Sequence, residues 1–276
     1  MNQALQTVQV VELLDGRTPA SLGMLTLRES QRPVLPPTVD MTYTIPLRHG
    51  AFDAGAMFGP KPLPLECVLI ASNACELQRR VSELAAFLVD DTGRPRTISL
   101  AYRNQPDREY LVRVSGSLEI NRDVQFGTVT IPMVAFDPFP YSRWRSDEIN
   151  VDTPISVDTP ISVGAAYDFH VSGVELINID NFGNQRVKPI VTITGSFSTL
   201  NLMIGGVTLQ YYAPLTPGKT LVIDYGKLRI TLDGINAIRN SNGEFGELPV
   251  GLSAVQVGGI GLNIDVKISF KAKYAG

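Results

Sequence analysis

A mainly β fold in two domains is predicted by three features of the 276-residue sequence. Val, Ile, Thr, Gly and Pro are plentiful and helix formers are not dominant, a composition that suits strands and turns. Short runs with apolar and polar residues in alternation recur along the chain, closed by Gly, Pro, Asn or Ser. Only one segment places apolar residues at helical spacing. A hydrophobic content of 44% against 18% charged residues supplies a sizeable buried core, and the length accommodates one large domain or, as the better fit, two ordinary ones.

The first half opens with strand-like "TVQVVEL" and "MLTLRES" and breaks at "RPVLPP". In "TVDMTYTIPLRHGAFDAGAMFGPKPLPLECVLIA", two β-rich runs flank a Gly- and Pro-rich excursion. "LECVLIA" puts Leu65, Cys67 and Leu69 on one strand face, so Cys67 reads as a small core residue. The helix lies in "SNACELQRRVSELAAFLVDDTG", with Leu77, Val81, Leu84, Ala85 and Leu88 as its stripe. Ser72 or Asn73 caps its start, Glu76 sits where the helix dipole favours an anion, and Gly93 ends it. Strands resume in "RTISLAYR", "REYLVRVSGSLEI" and "FGTVTIPMVAF", bounded by turns such as "NQPD" and "NRD". "AFDPFPYSRWRSDE" closes the half, its prolines stopping ladder pairing and its aromatics anchoring the departing chain.

The second half holds eight strand candidates, from "GVELINIDN" and "KPIVTITGS" to "AVQVGG" and "LNIDVKISFKAKY". Even spacing without helical pattern predicts an antiparallel sandwich or a jelly-roll-like fold. The expected domains are residues 1–145, a connector at 146–165, and 166–276.

The connector carries "VDTPISVDTPISV", a hexapeptide written twice and begun a third time at residues 151–163. Its period is even: Val151, Thr153, Ile155, Val157, Thr159, Ile161 and Val163 are all β-branched and share one face of an extended chain. An even insertion keeps every later side chain on its face, whereas an odd one flips them. Pro154 and Pro160 remove N–H donors from the same edge, which suits an edge strand or a linker and not a central strand. Extended, the thirteen residues reach roughly 43 Å at ~3.3 Å each, and Asp152 and Asp158 would stand about 20 Å apart, too far to share one cation.

Charge and chemistry narrow the function. Residues 1–145 contain 15 Lys or Arg and 15 Asp or Glu, and residues 146–276 contain 9 and 12, so neither half is a basic nucleic-acid surface. No run approaches the ~20 apolar residues of a membrane span, and no export signal is visible at the N-terminus. With two cysteines, Cys67 and Cys75, synthesis in a reducing cytosol is expected. Cys75 near the helix start has the setting for a lowered thiol pKa, yet the chain's histidines, His49 and His170, fall one in each half, and an inert thiol is the simpler reading. Two histidines and two cysteines give no zinc spacing. "VGGIGLN" at residues 257–263 lacks the following helix and the Lys-Ser/Thr pair of a phosphate loop and reads as a turn. The acidic pairs Asp90/Asp91 and Glu244/Glu247 stand beside helix-end or turn signals. No catalytic residue, cofactor or metal site is expected, and the chain is not expected to be an enzyme.

The order of "IPLRHGAFDAG", "LPLECVLI", a single helix, paired strands, "VAFDPFPYS" and a β-rich second half resembles the distal tail protein family of long-tailed, non-contractile phages. The strongest local match is Phe136, Asp137, Pro138, Phe139 and Tyr141, which resemble the family's aromatic-Asp-Pro-aromatic-x-Tyr ending of the first domain. "KPIVTITG" and "TLVIDYGKLRITLDGINAIRNSNGEFGELPVG" resemble strands and the F-x-x-L-P-x-G region of its second domain. The resemblance implies an N-terminal ring-forming belt domain and a galectin-like or carbohydrate-module-like outer sandwich. It further implies a homohexameric ring at the distal end of the virion tail, joining the tail tube protein to the central tip or hub protein. The tape measure protein and receptor-binding or side-fibre proteins are further expected neighbours, and DNA only passes through the channel. The repeat is not expected of the family.

A host-glycan-binding sandwich is the alternative function, with Tyr211 and Tyr212 as stacking candidates; adjacent strand residues face opposite ways, so one of the two belongs to the core. The even period generates its own test. Deleting Val157–Ser162 should leave both domains folded, with unchanged thermal melting, whereas deleting five of these residues should disturb any pairing; equal tolerance would mean an unpaired linker.

Overall fold

The computed structural model describes residues 11–27, 30, 32–122, 126–149, 153 and 167–275. They form two compact units that divide between Pro140 and Tyr141. Apart from Thr153, the repeat lies outside the described residues.

The first unit contains β1 (Val11–Leu14), β2 (Met24–Thr26), β3 (Thr38–Tyr43), β4 (Phe52–Phe58), β5 (Lys61–Pro62) and β6 (Leu65–Ile70). The helix α1 (Ala74–Leu88) follows, and then β7 (Ile98–Tyr102), β8 (Gln105–Val114), β9 (Ile120–Arg122), β10 (Phe126–Ile131) and β11 (Met133–Ala135). Antiparallel ladders join β1-β7-β8-β11-β5 in one sheet and β2-β6-β10-β9 in another, while β3 and β4 pair only with each other. Leu65, Cys67 and Leu69 alternate into a core shared with Leu100, Val112, Ile131 and Met133, as the strand pattern requires. Burial in that core pushes the Cys67 thiol up to about 12, so it stays protonated and inert. The expected "NQPD" turn is narrower: Gln105, Pro106 and Asp107 already belong to β8, and Arg103 and Asn104 make the turn.

The helix presents Leu77, Leu84 and Leu88 to this core, with Val81 half-buried. Ala85 is exposed instead of buried, and Phe87 takes the inward place. A methyl at the margin of the stripe has little to gain from the core, whereas the ring of Phe87 reaches it and carries the Arg17 and Arg96 guanidinium groups at 5.9 and 5.6 Å. At the start of α1, the Asn73 side chain accepts the Glu76 N–H at 2.9 Å, and the Glu76 carboxylate reaches back to accept the Ser72 N–H at 2.8 Å. The Ser72 hydroxyl also donates to that carboxylate, and Arg80 donates to it from one turn on.

The second unit starts with β12 (Tyr141–Ser142) and continues through β13 (Asp168–Val171), β14 (Glu175–Asn181), β15 (Ile190–Ser196), β16 (Thr199–Ile204) and β17 (Val207–Tyr211). It ends with β18 (Thr220–Asp224), β19 (Arg229–Leu232), β20 (Ile235–Asn236), β21 (Gly251–Ile260) and β22 (Asn263–Ser269). Two antiparallel sheets, β13-β22-β15-β18-β19-β20 and β14-β21-β16-β17, enclose one core that includes Ile179, Ile193, Leu202, Tyr211, Ile223, Val257 and Val266. All eight strand candidates of this half appear, joined by β13 and the two-residue β20. Gly205 and Gly206, both at positive φ, turn β16 into β17. "VGGIGLN" is the end of β21 and its turn into β22, with Gly261 at φ +69°.

The unit boundary precedes residue 145 for a definite reason. Ser142 N–H donates to the Ala272 carbonyl at 2.8 Å, Ser146 N–H donates to Phe270 at 2.8 Å, and the Arg145 Nε donates to the Ser269 hydroxyl at 2.7 Å. The segment after Pro140 is thereby laced to the chain that leaves β22.

The helix cap sets a pH dependence. Hydrogen bonds from the Ser72 hydroxyl and N–H, then Arg80, hold the Glu76 carboxyl down at about 2, against an ordinary 4.5. Its contribution to stability is therefore complete above about 4.5 and is lost as pH falls toward 2. Glu76→Gln should lower the melting temperature at pH 7, and the gap between variant and parent should narrow steadily between those two pH values in calorimetric scans.

Candidate assembly interface

The β3–β4 hairpin has an unusual surface for a folded β protein. Thr38 pairs with Phe58, Val39 with Met57, Asp40 with Ala56, Thr42 with Asp53 and Tyr43 with Phe52. The register slips by one residue on β4, where Gly55 at φ +100° donates its N–H to the Asp53 carboxylate at 2.8 Å. Alternation along β3 and the cross-strand register then place Val39, Met41, Tyr43, Phe52 and Met57 on one face. Thr38, Asp40, Thr42, Asp53 and Ala56 take the other. Every residue of both strands is exposed, Tyr43 at 67% and Met57 at 59%. An amphipathic hairpin normally buries its apolar face; in this one, that face is uncovered.

The base of the hairpin is firmly held. The Arg32 guanidinium sits over the Tyr102 ring at 4.4 Å and bonds the side chains of Asn104 and Gln105. Lys61 is 1% exposed and donates from Nζ to the Val34 carbonyl and to the Tyr110 hydroxyl, both at 3.2 Å. Gly59 N–H donates to the Pro37 carbonyl at 2.8 Å. A two-stranded ribbon is only marginally stable alone, and these clamps join the ribbon to the core at its root. The ribbon's tip carries Leu47, fully exposed at positive φ, and Arg48, whose guanidinium lies 4.4 Å over Phe52. His49 is exposed in the same turn.

The first-domain motif lies partly at this root. Phe139 meets Phe58 edge-on with ring centroids 5.8 Å apart. Asp137 accepts the Phe139 N–H at 3.4 Å and Pro138 is half-buried, so the Asp-Pro-aromatic turn closes on itself. Phe136 is 49% exposed under the Arg113 guanidinium at 4.2 Å. Tyr141 belongs to the second unit, where Lys273 Nζ stands 5.3 Å over its ring. The first unit also exposes Ile70 and Phe126, directly opposite each other on β6 and β10.

The two tyrosines separate as alternation demands. Tyr211 is 1% exposed, pairs with Leu200 and packs edge-on against Phe197 at 6.1 Å, so it has no face for a sugar and is a core residue. Tyr212 is 56% exposed and donates from its hydroxyl to Gln210 at 3.1 Å. In the second-domain motif, Leu248 is buried and exchanges two backbone hydrogen bonds with Val187, Phe245 lies edge-on to Tyr225, and Gly246 sits where a Cβ would come 2.1 Å from the Ile204 carbonyl. These residues shape the sandwich. Cys75 is exposed, His170 pairs with Asp265 at 2.8 Å, and no group of three metal-ligating side chains occurs among the described residues.

The hairpin escaped sequence reasoning at its second strand. "TVDMTY" alternates plainly, but "FDAGAMF" contains Asp, Gly and two Ala, all weak strand formers, and sits in a stretch rich in Gly and Pro. The signal that finds it is Phe52 and Met57 recurring beside an alternating partner.

Residues 20–135 match the phage tail protein RIFT-related domain family. The crystal structure of the phage SPP1 Dit protein (gp 19.1), described as a paradigm of the hub adsorption apparatus in phages infecting Gram-positive hosts, superimposes with a TM-score of 0.69 at 13% identity, covering 96% of this chain and 98% of that one. A chain of the phage P2 baseplate, in its activated conformation with Ca, gives a TM-score of 0.46 at 6% identity, covering 95% and 96%. No curated relative matches the sequence.

Proposed function

We propose that this chain, whose residues 20–135 belong to the phage tail protein RIFT-related domain family and whose fold is that of the SPP1 Dit protein, is a structural component of the tail tip that assembles as a ring. The observation that carries the reading is the uncovered apolar face of the β3–β4 arm. Covering the exposed part of each of its five apolar side chains is worth roughly 1 kcal/mol at ~25 cal/mol per Å². Left bare, the same face is an adhesive edge.

A second copy of the chain is the partner that fits. The arm and the Ile70/Phe126 patch are different surfaces of one unit, so their pairing between copies is head-to-tail. A head-to-tail contact closes into a ring when its rotation permits, whereas a self-complementary patch would stop at a two-fold dimer. Six copies is the expected count, from the resemblance to distal tail proteins. In this role the first unit is the belt, the second a galectin-like outer sandwich, and the ring joins the tail tube to the hub at the distal end of the virion tail and supports host-recognition components. The near-balanced charge of residues 1–145 suits a channel through which DNA moves without sticking. The role is structural, and none of its steps asks for catalysis.

Charge on the arm separates folding from assembly. Val39→Lys with Met57→Asp should leave the melting temperature of dilute protein within the range of ordinary surface changes, about 0.5 kcal/mol, because both side chains already face water and the two new charges, directly opposite across the strands, are of unlike sign. At high concentration the parent should form a hexamer in native mass spectrometry, and the variant should not. A parent that stays monomeric and also fails to join tail tubes would overturn the ring reading.

A further inference from the structure

We infer that the outer face of the β14-β21-β16-β17 sheet is a binding groove for an uncharged oligosaccharide. The register places the outward residues in rows across the strands: Leu176, Gln256, Met203 and Thr208 in one, Gly258, Asn201 and Gln210 in the next. Continuing the β16–β17 ladder by one residue sets Tyr212 beside Thr199, which pairs with Ile260. Between the rows lies a groove of about 420 Å³. Gly258 forms its floor, because a strand position without a side chain leaves a gap one residue wide, and Val174 stands beside it.

The lining selects the ligand class. No ionisable side chain lines the groove. Asn201, Gln256, Thr199 and Thr208 contribute amides and hydroxyls, groups that both donate and accept, and none of these four side chains has a hydrogen-bond partner among the described residues. Polar groups that donate and accept, at fixed spacing along a strand, match the adjacent hydroxyls of a sugar ring. Met203, Val174 and Ile260 offer apolar surface to the C–H faces of the same ring, and Tyr212 at the margin has a free aromatic face for stacking. The other sheet of this unit provides a contrast within one molecule: the lining of its groove includes Asp168, His170, Asp265 and Lys267. The carboxylates there would repel a phosphorylated ligand and suit a cationic one, whereas the uncharged lining of the first groove suits a neutral glycan.

The inference stands apart from ring assembly, since the groove is complete within one copy. Full-length protein is applied to an array of neutral gluco-, galacto- and N-acetylhexosamine oligosaccharides together with sialylated and sulfated counterparts. At least one neutral oligosaccharide should be retained. Asn201→Ala and Gln256→Ala should each weaken that binding about tenfold or more, while Thr194→Ala, on the opposite sheet, leaves it unchanged. Gly258→Val should abolish it by filling the floor; the added Cβ would meet only the Val174 methyls, at 3.7 and 3.9 Å, an ordinary contact. Thermal melting checks each fold, and the exposed Asn201 position decides the matter if the glycine variant melts early. Retention of anionic glycans alone, of none, or equal binding by Asn201→Ala and Gln256→Ala would overturn the assignment.

Discussion

The assembly account depends on one constraint: an apolar β face must be covered, and the β3–β4 arm has nothing in its own unit to cover it. Val39, Met41, Tyr43, Phe52 and Met57 alternate as core residues do, yet all are exposed. Elsewhere in the first unit the same alternation ends in full burial, as at Leu65, Cys67 and Leu69. The difference lies in what packs on the face: Leu65, Cys67 and Leu69 join the buried core of the unit, and none of the five arm side chains does. Buried Lys61 and stacked Arg32 hold the arm's root to the body, which presents the face without spending the order of a folding loop at every encounter.

The second unit shows the opposite solution. Its two sheets close over a core of alternating residues, and close backbone approaches at Gly246 and Gly205 seal the edges of that core. Polar residues therefore face outward on both sheets, but with different chemistry: amides and hydroxyls on one, an Asp, His and Lys mixture on the other. A sandwich that is stable by its interior leaves its outer faces to vary, so a fold shared with the Dit protein does not fix what those faces bind.

Much of the fold is legible in the sequence because period-2 and period-3.6 patterns are local. The helix, a cap at Ser72 or Asn73 and the eight strands of the second half follow from those patterns; the structure settles the cap on Asn73. Ala85 and Phe87 exchange places because periodicity weighs a methyl and a ring alike, whereas the core does not. Neighbouring tyrosines must face opposite ways, but only the pairing of Tyr211 with Leu200 decides which is inside. The arm's second strand is hidden by weak strand formers that only a partner strand can order. The groove on the second unit was invisible for a related reason: Thr199, Asn201, Gln256 and Gly258 come from two strands about fifty positions apart, brought into register by the β16–β21 ladder. The connector's even period, by contrast, is a property of the sequence alone, and the repeat falls after Tyr141, within the span of the second unit.

The most direct test of the account is amide hydrogen exchange over residues 38–58, in dilute protein and again in assembled rings or tails. The backbone amides of the ribbon should exchange readily in the dilute protein and become strongly protected on assembly, while those of α1 are unchanged. Equal exchange of the arm in the two states would contradict its role as the contact between copies.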